Sequence, residues 1–200
     1  MKEKQVIISI GREFGSAGHE IAEALAEKYQ LKLYDYHLLR EIAEEKNVHV
    51  AELEPYDEIP KKGFGYRTVK GYSNSPQENI AYMQFNHLKK RAAEGESFVV
   101  VGRCSEAMLS HNPNLVSIFI LGDIPCKIQR VKEVYGLKTD AEADKMRIKK
   151  DQERKSYHNS HCKGKWGDSR NYHISINSSK LGIDGTVDLL ETYIRERMAK

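Results

Sequence analysis

Two hundred residues, 40% of them hydrophobic and 30% charged, are enough for one well-filled core and too few for two full domains. No apolar run approaches the length of a bilayer span, and Met1-Lys2-Glu3-Lys4 leads straight into a strand without a secretory apolar region, so a cytoplasmic chain with no membrane partner is expected. A net charge of +3 without a long basic stripe argues against nucleic-acid binding, and three widely spaced cysteines suit reduced thiols better than a disulfide framework.

The first element is the stretch 7–21, IISIGREFGSAGHEI, which starts as a β-branched run and passes through Gly11, Gly15 and Gly18. It continues into Ile21, Ala22, Leu25, Ala26 and Tyr29 at helical spacing. Strand, glycine turn and helix in that order favour an anion, because glycines admit close approach and a helix start offers unpaired N–H groups; phosphate is the natural guest. In register with the pattern GxxxxGK[ST], however, the chain has Gly18, His19 and Glu20, so the lysine that reaches the outer phosphates is missing. Arg12 and His19 are the local candidates to replace it, and Arg12 is preferred because its charge is constant near neutral pH.

Leu31–Tyr34 reads as a short strand ending at Asp35, followed by a helix through Leu38, Leu39, Ile42 and Ala43. From Pro55 to Pro76 the tyrosines Tyr56, Tyr66 and Tyr72 alternate with Lys61, Lys62, Arg67 and Lys70 without a sustained period, which marks a long loop or insertion. Ser75-Pro76-Gln77-Glu78 opens a helix to about Glu94 whose expected inward stripe is Ile80, Met83, Gln84, His87, Leu88 and Arg91. Gln84 and His87 interrupt that face and are candidates to face a cleft.

Phe98–Val101 and Leu115–Leu121 are apolar runs typical of strands covered on both sides, the first ending at Gly102-Arg103-Cys104. A helix starts near Asp123 and stops at Gly136, and Thr139-Asp140-Ala141-Glu142 is a capping box for a very charged helix with little apolar face after Met146. Between Lys145 and Arg170 there are nine Lys/Arg against three Asp/Glu, an excess of six and twice that of the whole chain, which concentrates the basic surface there. Arg147, Asp151 and Arg154 recur at i, i+4 and i+7, along one side of the helix; a salt-bridged solvated face is the competing explanation. His158, His161 and Cys162 lie close in sequence, but zinc needs a fourth ligand and better spacing, so no metal site is expected. Tyr172–Asn177 supplies the last strand, and Val187, Leu190, Ile194 and Met198 mark the closing helix.

Five strands separated by helices specify an α/β fold in three layers, with a parallel sheet and ligands beyond the strands' carboxyl ends. The glycine loop, Asp35 and Arg103 all fall at that edge.

The loop GREFGSAG at 11–18, the segment FVVVGRC at 98–104, Arg147-x3-Asp151-x2-Arg154 and the closing NYHISINSSKLGID at 171–184 together resemble the cytidylate kinase-like family, over nearly the whole chain. The family is related to cytidylate kinases, which pass the γ-phosphoryl group of ATP to a cytidine monophosphate. What the resemblance implies is a P-loop NTPase-like domain over 1–200, with a five-stranded parallel sheet, a monophosphate-binding insertion at about 55–95 and a helical lid at about 139–170. The GREFGS-type loop is shared by the family; Ala17 and His19 stand where the family more usually has glycine and arginine.

On that resemblance the expected activity is ATP- and Mg2+-dependent transfer to CMP or dCMP, or to a similar small phosphate acceptor. The loop residues Gly11, Arg12, Phe14, Gly15, Ser16, Ala17, Gly18, His19 and Glu20 would cradle the donor. Arg147 and Arg154 would close over the transferred group, with Asp151 holding them apart and oriented. Arg103 and Arg67 would clamp the acceptor phosphate, Asp35 would take an acceptor hydroxyl or a magnesium-bound water, and Gln84 joins them on the substrate side. Assembly into a homo-oligomer stays open. One alternative is a phosphate-binding protein of the same fold that has lost transfer. Another is a dinucleotide-dependent oxidoreductase, drawn from Gly11-x3-Gly15-x2-Gly18, Asp35 and the pair Tyr66-x3-Lys70.

Overall fold

The computed structural model describes residues 4–47, 49–57, 68–69, 72–73 and 75–199. From the N-terminus, β1 (Ile7–Arg12) leads into α1 (Gly18–Lys28), and β2 (Lys32–Tyr34) into α2 (Leu38–Lys46) and the one-turn α3 (Val50–Leu53). A hairpin of β3 (Thr68–Val69) and β4 (Tyr72–Ser73) precedes the long α4 (Pro76–Ala93). Then come β5 (Phe98–Val101), the short α5 (Ser105–Met108), β6 (Leu115–Leu121), α6 (Ile124–Tyr135), α7 (Asp140–His161), β7 (Ile174–Asn177) and α8 (Gly182–Met198).

The most apolar strands take the centre of the sheet, because both of their faces must be covered. Its order is β2-β5-β1-β6-β7, all parallel, with Ile7 opposite both Phe98 and Leu115. Alternation along the strands sends Ile8, Ile10, Val99, Val101, Val116, Ile118 and Ile120 to one face, against Ile21 and Leu25 of α1 and Leu190 and Ile194 of α8. Ile7, Phe98, Val100 and Leu115 go to the other, against Leu38 and Ile42 of α2 and Leu88 of α4. Each such side chain, fully removed from water, stabilises the fold by roughly 1.5–3 kcal/mol. The three layers expected from the alternation of elements are thus present.

That order also removes one alternative. Dinucleotide-binding sheets set the second strand beside the first, whereas here β5 lies between β1 and β2. Tyr66 and Lys70, on which the oxidoreductase reading drew, lie outside the described residues.

Three elements depart from expectation. The last strand begins at Ile174 rather than Tyr172, because Ser169–Asn171 form a 3-10 turn capped by the Asp168 carboxylate. Helix α4 buries Ala81, Phe85 and Ala92 along with Ile80, Gln84, His87 and Leu88, while Met83 and Arg91 are only half-buried. It packs on two fronts, with Leu88 on the sheet and Ala81 and Phe85 on Cys104 and Tyr157, so a single stripe was too narrow a description. Helix α7 starts at the expected capping box, in which the Glu142 amide donates to Thr139 Oγ1 at 3.2 Å and the Thr139 amide to Glu142 Oε2 at 3.0 Å. Its far end nevertheless buries Tyr157 and His158, so the lid is pinned at both ends: Ala143 packs on Phe14 and Val131, and Tyr157 on Phe85. No helix among the described residues is long and apolar enough to cross a membrane.

Candidate active site

A cleft of about 1050 Å³ opens over the carboxyl ends of β1 and β5. Its rim carries Arg12, Arg103, Arg130 and Arg154, from four different elements or their ends.

On the β1 side the chain turns through the glycine loop into α1. The Ile21 amide donates back to the Ala17 carbonyl at 3.0 Å, so the N–H groups of Gly18 and His19 have no backbone acceptor within the helix and face forward with the positive end of its dipole, while the Glu20 amide meets its own carboxylate. The glycines themselves serve packing more than expected. A Cβ on Gly11 would lie 2.8 Å from the Phe119 ring, one on Gly15 2.8 Å from the Lys127 carbonyl oxygen, and one on Gly18 2.6 Å from Arg12 Cβ. The protein's own atoms crowd all three. Gly15 also needs its φ of 81°, and Ala17 adopts a left-handed φ of 60° despite its methyl group.

The stem of Arg12 runs across Gly18, next to the stretch where the lysine is missing, with Cβ, Cγ and Cδ all close to that residue. From the lid, Arg154 Nη1 donates to the Arg12 carbonyl at 3.4 Å, and its guanidinium sits 5.3 Å from the centre of the Phe14 ring. Asp151 Oδ1 accepts from the Phe14 amide at 2.7 Å. Burial pushes the Asp151 carboxyl up, while the Phe14 amide and Arg154 pull it back. Asp151 therefore fastens the lid to the loop while standing in electrostatic reach of both Arg147 and Arg154. Arg147 gives two hydrogen bonds to Asp144 Oδ1, at 2.8 and 2.6 Å, and stands 3.8 Å from Asp151. It is off the cleft wall, so the three-residue stripe expected from its spacing divides.

His19, the second candidate for the lysine's role, turns toward carboxylates instead, with Nε2 3.4 Å from Glu23 Oε1 and 3.6 Å from Asp35 Oδ2. Helix α6 supplies two cations to the loop that the sequence reading did not pick out. Lys127 Nζ, buried, donates to Glu13 Oε2 at 2.7 Å, and Arg130 Nη2 to Glu20 Oε1 at 2.5 Å. Burial is the largest single influence and raises the Glu20 carboxyl, but the hydrogen bond and charge of Arg130, the Glu20 amide and the charge of His19 together hold the group below its ordinary range. The available signal was Lys127, Arg130 and Val131 at i, i+3 and i+4, one helix face carrying cations beside an apolar residue.

On the β5 side three successive residues are left-handed: Gly102 at φ 73°, Arg103 at 58° and Cys104 at 53°. Two non-glycine residues in that region cost about 1–3 kcal/mol each, the kind of strain found where side chains are being aimed. Arg103, 2% exposed, is aimed at Asp57, whose Oδ1 accepts from Arg103 Nη1 at 2.8 Å and from Gln84 Nε2 at 2.7 Å. Gln84 Oε1 is buried with no hydrogen-bond partner among the described residues. The Asp35 carbonyl lies 3.5 Å from Arg103 Nη2, and the Asp35 carboxylate caps the His37 amide at 2.8 Å. Asp35, Gln84 and Arg103 are thus brought together, around an aspartate that no periodicity in the insertion marked. Arg67 lies outside the described residues.

The same wall carries Cys104, Glu106 and His158. His158 Nε2 is 2.6 Å from Glu106 Oε1, and the ligand atoms of Glu106, His158 and Cys162 lie within 4.8 Å of one another. His161, expected to group with them, instead packs among the rings of Tyr157, Phe85 and Tyr82. Burial opposes the charge on His158, yet hydrogen bonds to Cys162 and Glu106 push its imidazole well above the ordinary histidine range.

Residues 7–180 match the cytidylate kinase-like family. No curated protein matches the chain. A crystal structure of an uncharacterized protein from Eubacterium ventriosum ATCC 27560 is 42% identical with a TM-score of 0.76, covering 96% of this chain and 99% of that one. Shikimate kinase from Bacteroides thetaiotaomicron is 16% identical (TM-score 0.55, 95% of this chain and 98% of that one). Shikimate kinase from Acinetobacter baumannii, in complex with shikimate, is 12% identical (TM-score 0.53, 99% and 97%). The two shikimate kinases share the fold with this chain.

Proposed function

This chain belongs to the cytidylate kinase-like family, and from that membership we propose that it transfers the γ-phosphoryl group of ATP to a small acceptor, a nucleoside monophosphate such as CMP or dCMP. The observation that carries the reading is the convergence of arginines on one cleft: Arg12 across Gly18, Arg154 over the loop from α7, and Arg103 at the neighbouring strand end. Phosphoryl transfer asks the protein for positioning and for cations on developing charge, and little covalent chemistry.

In this reading the amides of Gly18 and His19 hold the donor's phosphates at the start of α1, and Arg12 stands in for the absent lysine. Arg154 neutralises charge on the group in transit. Arg147 acts at one remove, through Asp144 and the Asp151 end of the lid. Arg103, joined by Arg67, takes the acceptor's phosphate as a bidentate donor, while Gln84 keeps Asp57 in place and retains one acceptor oxygen for the substrate. Magnesium, when bound, supplies neutralising charge between donor phosphates, and Asp35 is the carboxylate suited to a magnesium-bound water or an acceptor hydroxyl.

The inert phosphate binder remains a second reading for a specific reason: Glu13 and Glu20, two acids at the mouth of the loop, already occupy the cations of α6. A thermal-shift panel of nucleoside mono- and triphosphates with and without Mg2+, with shikimate and NAD as further arms, tests the proposal. A ligand specific to the native state at a hundred times its Kd adds about 2.7 kcal/mol. Stabilisation by ATP with Mg2+ and separately by CMP or dCMP is expected. Stabilisation by shikimate but no monophosphate would replace the acceptor, and no shift with any nucleotide would overturn the reading.

A further inference from the structure

The C-terminal end of α7 presents His158 and, at its C-cap, Cys162 to the start of α5, where Cys104 is the N-cap and Glu106 lies in the first turn. Beyond the 2.6 Å contact of His158 with Glu106, the Cys162 sulfur lies within 4.8 Å of the ligand atoms of both, and Cys162 packs against the cluster that holds Cys104. None of Cys104, Cys126 and Cys162 is in a disulfide. We propose that Cys104, Glu106, His158 and Cys162 form a divalent-metal site, for which zinc is the fitting ion.

Two sulfurs, an imidazole and a carboxylate match the borderline-soft preference of zinc and complete its usual four ligands. Zinc–ligand bonds of about 2.0–2.3 Å in a tetrahedron put the ligand atoms roughly 3–4 Å apart, and the three measured atoms already lie within 4.8 Å of one another. The support around the ligands points the same way. His158 Nδ1 lies 3.2 Å from Asn159 Oδ1, an oxygen identified by its acceptance of the Trp166 amide at 2.9 Å. Nδ1 therefore keeps its proton, and Nε2, which faces Glu106, is the ring nitrogen presented to a metal, the arrangement that orients metal-bound histidines. Binding forms four metal–ligand bonds and releases to solvent the thiol protons and the proton on Nε2, with no change of oxidation state. The ion would join the far end of the lid to the strand end that aims Arg103, so it is a site distinct from the phosphate loop and independent of which acceptor is used.

The test is cobalt substitution of the full chain after stripping with a chelator under reducing conditions. One equivalent of Co2+ per chain should develop thiolate-to-cobalt charge-transfer bands and the d–d bands of a tetrahedral centre, and one equivalent of Zn2+ should abolish them and raise Tm. Cys162→Ser should lose the share of the charge-transfer intensity that one of the two thiolates supplies, Asn159→Ala should weaken zinc binding about tenfold to a hundredfold, and Cys126→Ser, at an exposed thiol elsewhere, should change nothing. Absence of a stoichiometric cobalt spectrum in the reduced unmutated chain overturns the proposal without recourse to any variant. So does an unaltered spectrum in folded Cys162→Ser, or a Cys104–Cys162 disulfide that forms while no metal is taken up.

Discussion

A methyl group at Gly15 would meet the Lys127 carbonyl oxygen at 2.8 Å and Val131 Cγ2 at 3.0 Å, on a backbone held at φ 81°. Backbone cannot step aside as a flexible side chain does, so Gly15→Ala adds overpacking to left-handed strain and should cost about 2–4 kcal/mol. In a chain of this size that lowers Tm by roughly 5–15 °C, read by calorimetry without ligand. Gly18 behaves differently because its neighbour is the Arg12 stem. Gly18→Ala should displace Arg12, and both Gly18→Ala and Arg12→Ala should weaken triphosphate binding about tenfold or more, measured by titration calorimetry. The double variant Arg12→Gly/Gly18→Ala should bind no worse than Arg12→Gly alone, since Cβ, Cγ and Cδ of the obstructing stem have all gone; additive losses would show that Arg12 does not reach the phosphates through this route. At this scale the sequence announced the loop but not its partners. Glycine spacing is local, whereas Phe119, Lys127 and Asp57 come from segments whose approach depends on the folded sheet.

Elements with a strong period were legible, and those built by two-sided packing were less so. β1, β5 and β6 could be read because continuous apolar runs have few other uses, and α7 because its capping box is written in four consecutive residues. Helix α4 was read with the wrong width, since Phe85 and Ala81 answer to Tyr157 and Cys104 far along the chain. The same burial gives α4 a pH signature. His87, 8% exposed, lies 3.5 Å from Glu45, yet burial outweighs that carboxylate and pulls the imidazole below its ordinary 6.5. Below about pH 6.5 the unfolded chain takes up a proton that folded His87 resists, so stability should fall as the pH drops through this window. Urea unfolding at about pH 7.5 and 5.5 should show a smaller acid loss in His87→Gln than in the unmutated protein. An equal loss in both would locate the acid sensitivity elsewhere.

For the molecule as a whole, alternation of strands and helices foretold the parallel sheet, but only the folded order, with β5 between β1 and β2, separated a kinase-type sheet from a dinucleotide-binding one. The cluster of Glu106, His158 and Cys162 was hidden for a related reason: His158 and Cys162 share a helix face, but Glu106 is 52 residues from His158 and reaches it only when the lid end docks beside β5. That docking, with Asp151 fastened to the Phe14 amide, leaves α7 closed on the loop and puts Arg154 above it. An arginine that acts on charge arising during transfer contributes little to ground-state binding, so its loss should reach turnover far more than affinity. The direct measurement is transfer of the labelled γ-phosphoryl group from ATP with Mg2+ to CMP and dCMP, alongside nucleotide Kd, for the unmutated chain and Arg154→Ala. The account predicts labelled diphosphate product from the unmutated chain, and in Arg154→Ala a kcat lower by about a thousandfold with little change in Kd. Nucleotide binding without any product, or an Arg154→Ala chain that turns over as fast as the unmutated one, would contradict it.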